Sequence, residues 1–190
     1  MSHFYAMLFR MKYIDRWALM RNTRTETLAE HTLDTAFIAH ALAVIQNKRF
    51  GGNIDPEKAA VSALFHDAPE IITGDMPTPV KYYNPEIKTA YKAIEAAAAD
   101  RLLGLIPEDL RDEFIPLFDP YDEDIKLVVK AADKLSALIK CRDEKALGNR
   151  DFTSAEDAVL KSAEALPLPA VKVFINEFLD SFNLPLDELK

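Results

Sequence analysis

With 190 residues, 49% of them apolar and 28% charged, the chain can bury one sizeable core and is too hydrophobic to read as disordered. A formal net charge of -8 at pH 7 disfavours a broad surface for a nucleic-acid polymer, which clustered Lys and Arg would have to hold, but leaves room for a small phosphate ligand in a locally positive cleft. The apolar runs are broken by His, Asp, Glu or Lys before the roughly 20 residues of a membrane span, so no span is expected.

The N-terminal segment predicts a first helix over about Phe4 to Ile14, ending near Asp15-Arg16-Trp17. Its charges are spread, without the separate basic stretch, apolar stretch and cleavage site of a leader, which points to the cytoplasm. After the irregular stretch Arg21 to Glu26, Thr27-Leu28-Ala29-Glu30 has capping-box spacing and opens a second helix running to about Gln46. Phe50-Gly51-Gly52-Asn53 reads as a turn, and Asp55-Pro56 starts a third helix that is expected to carry His66 and Asp67. The glycine and two prolines in Thr73 to Pro79 break any continuous helix. Asn84-Pro85 opens a fourth helix to about Leu103, and Pro107 a shorter one.

From Asp122 to about Leu147, Ile125, Val128, Ala132, Leu135 and Ile139 recur at helical spacing, with Asp133 beside that stripe. Two further helices, about Ser154 to Ala165 and Ala170 to Phe182, complete an all-α reading as one domain over 1–190. The C-terminal helices of 150–190 are expected to serve packing or a dimer surface. Cys141, the only cysteine, allows neither an intramolecular disulfide nor a multi-cysteine zinc site, and reads as an inert helix residue.

The chemistry-bearing signal is His66-Asp67, set in the apolar stretch Ala63 to Phe65 and followed by Glu70. Polar groups in such a stretch need a partner that offsets their desolvation. His31, His66, Asp67 and Asp133 fall on three predicted helices, as a cage in a helical core requires, and two imidazoles with two carboxylates balance one divalent cation. Mixed N and O donors suit manganese, cobalt, nickel, iron or zinc better than calcium or magnesium. Taken singly, each has an ordinary alternative: His66 as a core histidine, Asp67 as its partner, Asp133 as a surface charge. His40 lies two and a half turns from His31, on the opposite face, and is expected to be a hydrogen-bonded packing residue. His3, near the terminus, is expected to be solvated.

Glu30-His31, His66-Asp67 and Asp133 resemble the H...HD...D signature of the HD-domain metal-dependent phosphohydrolases. Arg16-Trp17, Arg21-Asn22, Arg24-Thr25-Glu26, His66-Asp67-Ala68, Glu70, Thr73-Gly74-Asp75 and Pro77-Thr78-Pro79-Val80-Lys81-Tyr82 look like the bacterial 5'-deoxynucleotidases of that superfamily, over roughly the first three quarters of the chain and only vaguely beyond Gly148.

The resemblance implies an all-α HD-domain helical bundle. Its site would be built mainly from 16–133, with one divalent metal on His31, His66, Asp67 and Asp133, and the molecule would be a homodimer. It also implies hydrolysis of deoxyribonucleoside 5'-monophosphates to deoxynucleoside and phosphate. Around the substrate it places Arg16 as phosphate clamp, Trp17 crowding the sugar 2' position, and Asp75, Met76, Pro77 and Thr78, together with the ligands His31, Asp67 and Asp133. Glu70 and Asp75 are the catalytic candidates: Glu70 to orient or deprotonate water, Asp75 to accept from a sugar hydroxyl or to protonate the leaving 5'-oxygen. A continuing helix would aim His66, Asp67 and Glu70 at one site, which Pro69 complicates. Arg21 and Arg24 are open between ligands and structural ties. Alternatives are a broader HD nucleotide phosphohydrolase that takes deoxynucleoside triphosphates, and a non-catalytic HD sensor of metal and nucleotide. The few basic residues near the motifs count against the first, and Arg16, Glu70 and Asp75 against the second. Neither G-x-S-x-G nor a P-loop occurs.

Overall fold

The computed structural model describes residues 1–81 and 83–189; Tyr82, one of the resemblance residues, lies outside them. The described residues form α1 (Phe4–Leu8), α2 (Leu28–Phe50), α3 (Pro56–Phe65), α4 (Glu70–Thr73), α5 (Thr78–Lys81), α6 (Pro85–Leu103), α7 (Glu108–Phe118), α8 (Glu123–Ala146), α9 (Thr153–Glu164) and α10 (Pro169–Glu177). Short 3-10 turns sit at Phe9–Tyr13, Arg150–Phe152, Leu179–Asn183 and Leu186–Glu188. The fold is all-α: among the described residues the only extended pairing is an isolated antiparallel bridge between Asp15 and Thr27.

Local chemistry sets the helix ends. Thr27 accepts the Glu30 N–H while the Glu30 carboxylate accepts the Thr27 N–H at 2.8 Å, which closes the capping box. The side chains of Asp55, Asn84 and Asp122 cap α3, α6 and α8. At the far end of α2, Gly51 turns the chain with φ 71, a left-handed conformation that glycine enters without strain.

Several expectations are corrected. The third helix stops at Phe65, leaving His66 and Asp67 in a turn before α4, because the Pro69 ring would collide with the carbonyl four residues back, that of Phe65. The last α-helix ends at Glu177 and the chain continues as a 3-10 turn through Asn183. His40 is exposed, because the buried face of α2 runs through His31, Thr35, Ile38, Ala39 and Leu42 and turns position 40 outward. Helix α2 is also long and apolar enough by composition to cross a membrane, with a mean hydropathy of 1.2 over its most apolar stretch. Yet 56% of that stretch is buried inside the protein, where α2 packs on α3, α8 and α10.

Among the described residues two apolar clusters make the interior. The larger joins α2, α3, α8, α9 and α10 through residues such as Leu42, Ala63, Leu135 and Phe174; the smaller gathers Phe4, Met11, Leu28, Ala68, Leu102 and Ile106. Leu28 belongs to the smaller cluster and Ala36, on the same helix, to the larger, with His31 between them. Ala63 and Ala68 straddle His66 and Asp67 in the same way. The polar candidates therefore sit on the seam between the two clusters.

Candidate metal centre and active site

His31 comes from the first turn of α2, His66 and Asp67 from the turn after α3, and Asp133 from α8. One donor atom from each lies within 4.8 Å of all the others. The His31 Nε2 is 3.3 Å from Asp133 Oδ1 and 3.6 Å from Asp67 Oδ2, and the His66 Nε2 is 3.1 Å from Asp67 Oδ2. Both Nε2 atoms are buried without a hydrogen-bond partner. Their other ring nitrogens are engaged: Nδ1 of His66 meets the Ala63 carbonyl at 2.7 Å and Nδ1 of His31 meets Ser136 Oγ at 3.1 Å. A carbonyl only accepts, so the His66 Nδ1 carries a proton, which makes Nε2 the nitrogen that can offer a lone pair to a cation. Such outer contacts are how metal-ligating histidines are oriented, and two unpartnered buried Nε2 atoms facing two carboxylates fit a divalent cation.

The electrostatics of the cluster agree. Burial opposes protonation of His66, but Asp67 and Asp133 draw its pKa up to about 9. Burial likewise opposes ionisation of Asp67, yet His66, His31 and Arg16 hold its carboxyl far below the usual range. These four residues have a deficit of positive charge.

Around them stand the other candidates. Arg16 is nearly buried; its Nε donates to Glu26 Oε2 at 3.1 Å and its Nη1 to Asp67 Oδ2 at 3.4 Å. Desolvation works against the guanidinium charge, but Asp67, Asp133, Glu26 and Asp75 outweigh it and keep the pKa raised. Glu70 opens α4 and is only 5% exposed, with Oε2 unpaired. Burial first, then Asp67 and Asp75, push its carboxyl up to about 9. Asp75 Oδ2 accepts the Trp17 backbone N–H at 3.1 Å, and the Trp17 indole N–H donates to Glu26 Oε2 at 3.1 Å. Met76 and Pro77 follow half-buried and Thr78 is exposed at the start of α5; among the described residues neither Met76 nor Thr78 makes a side-chain hydrogen bond to the cluster.

A cavity of about 290 Å³ between α3, α7 and α8 opens onto His66 and Asp133. A larger depression of about 430 Å³, lined by Arg21, Asn22, Thr23 and Asn149 among others, holds none of the cage residues. Arg21 is tied to Asp151 by hydrogen bonds of 2.9 and 2.7 Å and Arg24 to Glu30 at 2.5 Å, neither pair including one of the four cage residues.

A sequence model described as 5'-deoxynucleotidase YfbR-like matches residues 3–182. The chain belongs to the YfbR-like 5'-deoxynucleotidase family. It is 47% identical to a 5'-deoxynucleotidase of Photobacterium profundum, over 99% of this chain and 98% of that protein. It is 48% identical to the 5'-deoxynucleotidase YfbR of Escherichia coli, over 99% and 96%. Among solved structures, an HD-domain phosphohydrolase from Listeria innocua superposes with a TM-score of 0.80 at 22% identity, covering 95% of this chain and 88% of that one. The HD phosphohydrolase DatZ of cyanophage S-2L, solved with dA and one catalytic Zn2+ ion, gives 0.67 at 19% identity, over 93% and 95%. At these identities the two structures establish the HD fold.

Several residues that shape this family member's site escaped sequence reasoning. Ser136 lies three residues after Asp133, one turn along α8, and that spacing was the available signal. Glu26 stood among the resemblance residues, in Arg24-Thr25-Glu26, but was given no role, and Glu144, whose carboxylate receives the Thr23 and Arg24 N–H groups, was visible only as a helix charge. Lys81, Tyr91 and Glu95 close the wall behind Glu70, with Lys81 Nζ 2.8 Å from Glu95 and 4.9 Å from the Tyr91 ring centre.

Proposed function

We propose that this family member is a metal-dependent 5'-deoxynucleotidase that hydrolyses deoxyribonucleoside 5'-monophosphates to deoxynucleoside and inorganic phosphate. The carrying observation is the convergence, on the seam between two cores, of two orphaned imidazole nitrogens, two carboxylates, a buried arginine and the unpaired carboxyl of Glu70. His31, His66, Asp67 and Asp133 would hold one ion, and the donor set supports manganese, cobalt, nickel, iron or zinc. Bound there, the ion supplies charge neutralisation for the phosphoryl oxygens and a lowered pKa for water.

The chain's own residues do the rest. Arg16, kept charged by the surrounding carboxylates, presents its guanidinium to the phosphate. Glu70 in its ionised form takes the proton of the water as that water attacks phosphorus, and because burial favours the protonated carboxyl it gives that proton to the 5'-oxygen as the P–O bond breaks, so that deoxynucleoside leaves as a hydroxyl and Glu70 is ionised again. Asp75 already accepts one N–H, which favours a role as acceptor for a sugar hydroxyl over one as acid. Trp17 crowds the 2' position so that a ribose hydroxyl collides with it, and Met76, Pro77 and Thr78 line the sugar side.

The test is phosphate release from deoxyribo- and ribonucleoside mono-, di- and triphosphates, with several divalent metals and after chelation. Metal-dependent release confined to deoxy monophosphates is expected. Release from triphosphates would move the assignment to the broader phosphohydrolase, and silence with stoichiometric metal to the sensor.

We also propose a cytoplasmic homodimer. The single cysteine is buried with its thiol pushed up to about 12, suited to a compartment without disulfides, and Phe178, Phe182, Leu184, Leu186 and Leu189 leave apolar surface beyond α10. Light scattering on the purified protein and cell fractionation test the two parts.

A further inference from the structure

We propose that Glu26 is a positioning residue that ties the phosphate clamp to the sugar gate. A single oxygen of its buried carboxylate sets both the Arg16 guanidinium and the Trp17 indole, so that grip on phosphate and rejection of ribose depend on one group. The inference rests on the deoxynucleotidase reading and extends it to a residue that touches neither substrate nor metal.

The geometry begins in the backbone. The Leu28 N–H donates to the Ile14 carbonyl at 2.8 Å and the Arg16 N–H to the Glu26 carbonyl at 2.9 Å, around the Asp15–Thr27 bridge. The stretch from Asp15 to Thr27 is thus a ring closed at its neck, and Glu26 sits in that neck at 6% exposure. From there Oε2 accepts the Arg16 Nε–H and the Trp17 Nε1–H, each at 3.1 Å.

Trp17 needs such a hold. Its φ of 60 is the only left-handed value outside glycine among the described residues, and a bulky side chain enters that region only where its surroundings enforce it. Asp75 takes its N–H, while Met20 N–H and Asn22 Nδ2 donate to its carbonyl at 2.9 and 3.2 Å. Those bonds fix the backbone but leave the side-chain torsions open. Among the described residues the ring meets one other aromatic ring, that of Phe152, 5.3 Å away and fully buried, and makes one hydrogen bond, to the Glu26 carboxylate. Phe152, its ring tilted 56° to the indole, offers an apolar contact without a directional bond, and Glu26 supplies that bond. Arg16 is parallel: without Glu26 its remaining hydrogen-bonded carboxylate is Asp67, a cage residue, which would draw the guanidinium away from the phosphate.

Because Trp17 is the only tryptophan, intrinsic fluorescence reports this one ring. The experiment compares the wild type with Glu26→Leu, Glu26→Gln, Glu26→Asp and Trp17→Ala, each loaded with metal. It measures tryptophan emission and acrylamide quenching, the ratio of kcat/KM for a deoxyribo- over the matching ribonucleoside monophosphate, and inhibition by inorganic phosphate. Removing a hydrogen bond to a charged group predicts about a tenfold or greater fall in the deoxy-to-ribo ratio and a similar weakening of phosphate inhibition in Glu26→Leu, with a changed emission and easier quenching. Glu26→Asp, which keeps the charge but is one methylene too short for both donors, moves in the same direction and covers the case in which Glu26→Leu does not fold. Glu26→Gln keeps an acceptor oxygen and restores emission and ratio towards wild type. Adding Glu26→Leu to Trp17→Ala lowers the ratio no further but still weakens phosphate inhibition.

Equal losses on both sugars, with the ratio and the emission unchanged, would reduce Glu26 to a loop stabiliser and overturn the proposal. So would a change in only one of the two grips. A wild type without any preference for deoxyribose would sink the nucleotidase reading instead, while emission, quenching and phosphate inhibition in the Glu26 variants would still decide whether one carboxylate sets both side chains.

Discussion

The proposed metal cage and the proposed phosphate clamp meet at Asp67, yet they are held by different means. The cage hangs on two helices and the turn that follows a third: His31 is braced from α8 by Ser136, and His66, just past α3, by the carbonyl of Ala63 in its last turn. The clamp sits on an irregular ring with no helix of its own, and buried carboxylates do for it what packing does for the cage. Glu26 holds the two side chains, Asp75 holds the Trp17 backbone, and Glu144 pins the far side of the ring. Glu144 is 1% exposed on α8 and accepts the Thr23 and Arg24 N–H groups, the Asn149 amide and the Lys140 ammonium. Burial opposes its ionisation, but Lys140, Asn149 and the two backbone donors hold its carboxyl far below the ordinary 4.5. A site can therefore be rigid in two ways, by apolar packing or by charge-assisted hydrogen bonds to backbone, and each fails under different perturbations.

The sharpest way to break the cage alone is His66→Ala. With the ion goes several kcal/mol of charge stabilisation, so stoichiometric metal should be lost and kcat/KM should fall by about 10³-fold or more, with far-UV circular dichroism unchanged. Metal retained at one equivalent would show that the four donors are not the ligand set. Glu70→Gln separates chemistry from assembly: kcat is expected to drop by about 10²–10⁴-fold with metal content and phosphate inhibition intact, and a wild-type kcat would remove Glu70 from the reaction.

On the clamp side, Glu144→Gln should cost about 2 kcal/mol in urea unfolding at neutral pH while metal content stays at one equivalent. Glu144 has a folded pKa below its unfolded value. Its contribution is therefore fully present above about pH 4.5 and declines as pH falls towards the folded pKa, so the gap between variant and wild type should close on acidification. A gap that persists in acid would mean that the charge is not what pins the ring. Arg21→Ala, at the 86%-exposed end of the pair with Asp151, should leave the urea midpoint and the activity close to wild type, because solvent screens the pair; a clear kinetic effect would make Arg21 a ligand.

The same division decides what the sequence could disclose. Helix-borne features were legible because periodicity and capping are local: the Thr27–Glu30 box, the Asp55 and Asn84 caps and the α8 stripe appear where spacing puts them. The stripe is less regular than expected at Ile139, which is only partly buried. His31, His66, Asp67 and Asp133 could be suspected because polar residues in apolar helical surroundings are costly. The break at Pro69 was visible as a proline, but its result, Glu70 starting a new helix rather than extending the old one, depends on how the turn closes. The position of His40 follows from which face α2 buries, a tertiary matter. Glu26 and Trp17 lie nine residues apart in a stretch without period, and nothing local marks a left-handed tryptophan or the carboxylate that holds it.

The seam between the two apolar clusters makes metal occupancy a folding variable. Each cluster closes on its own side, and His31, His66, Asp67 and Asp133 are the residues through which one bound cation would rivet the two. A cation that binds only the folded chain adds about 2.7 kcal/mol at a free concentration of one hundred times Kd. The melting temperature then becomes a binding isotherm, rising with metal as the joint between the two halves is made fast.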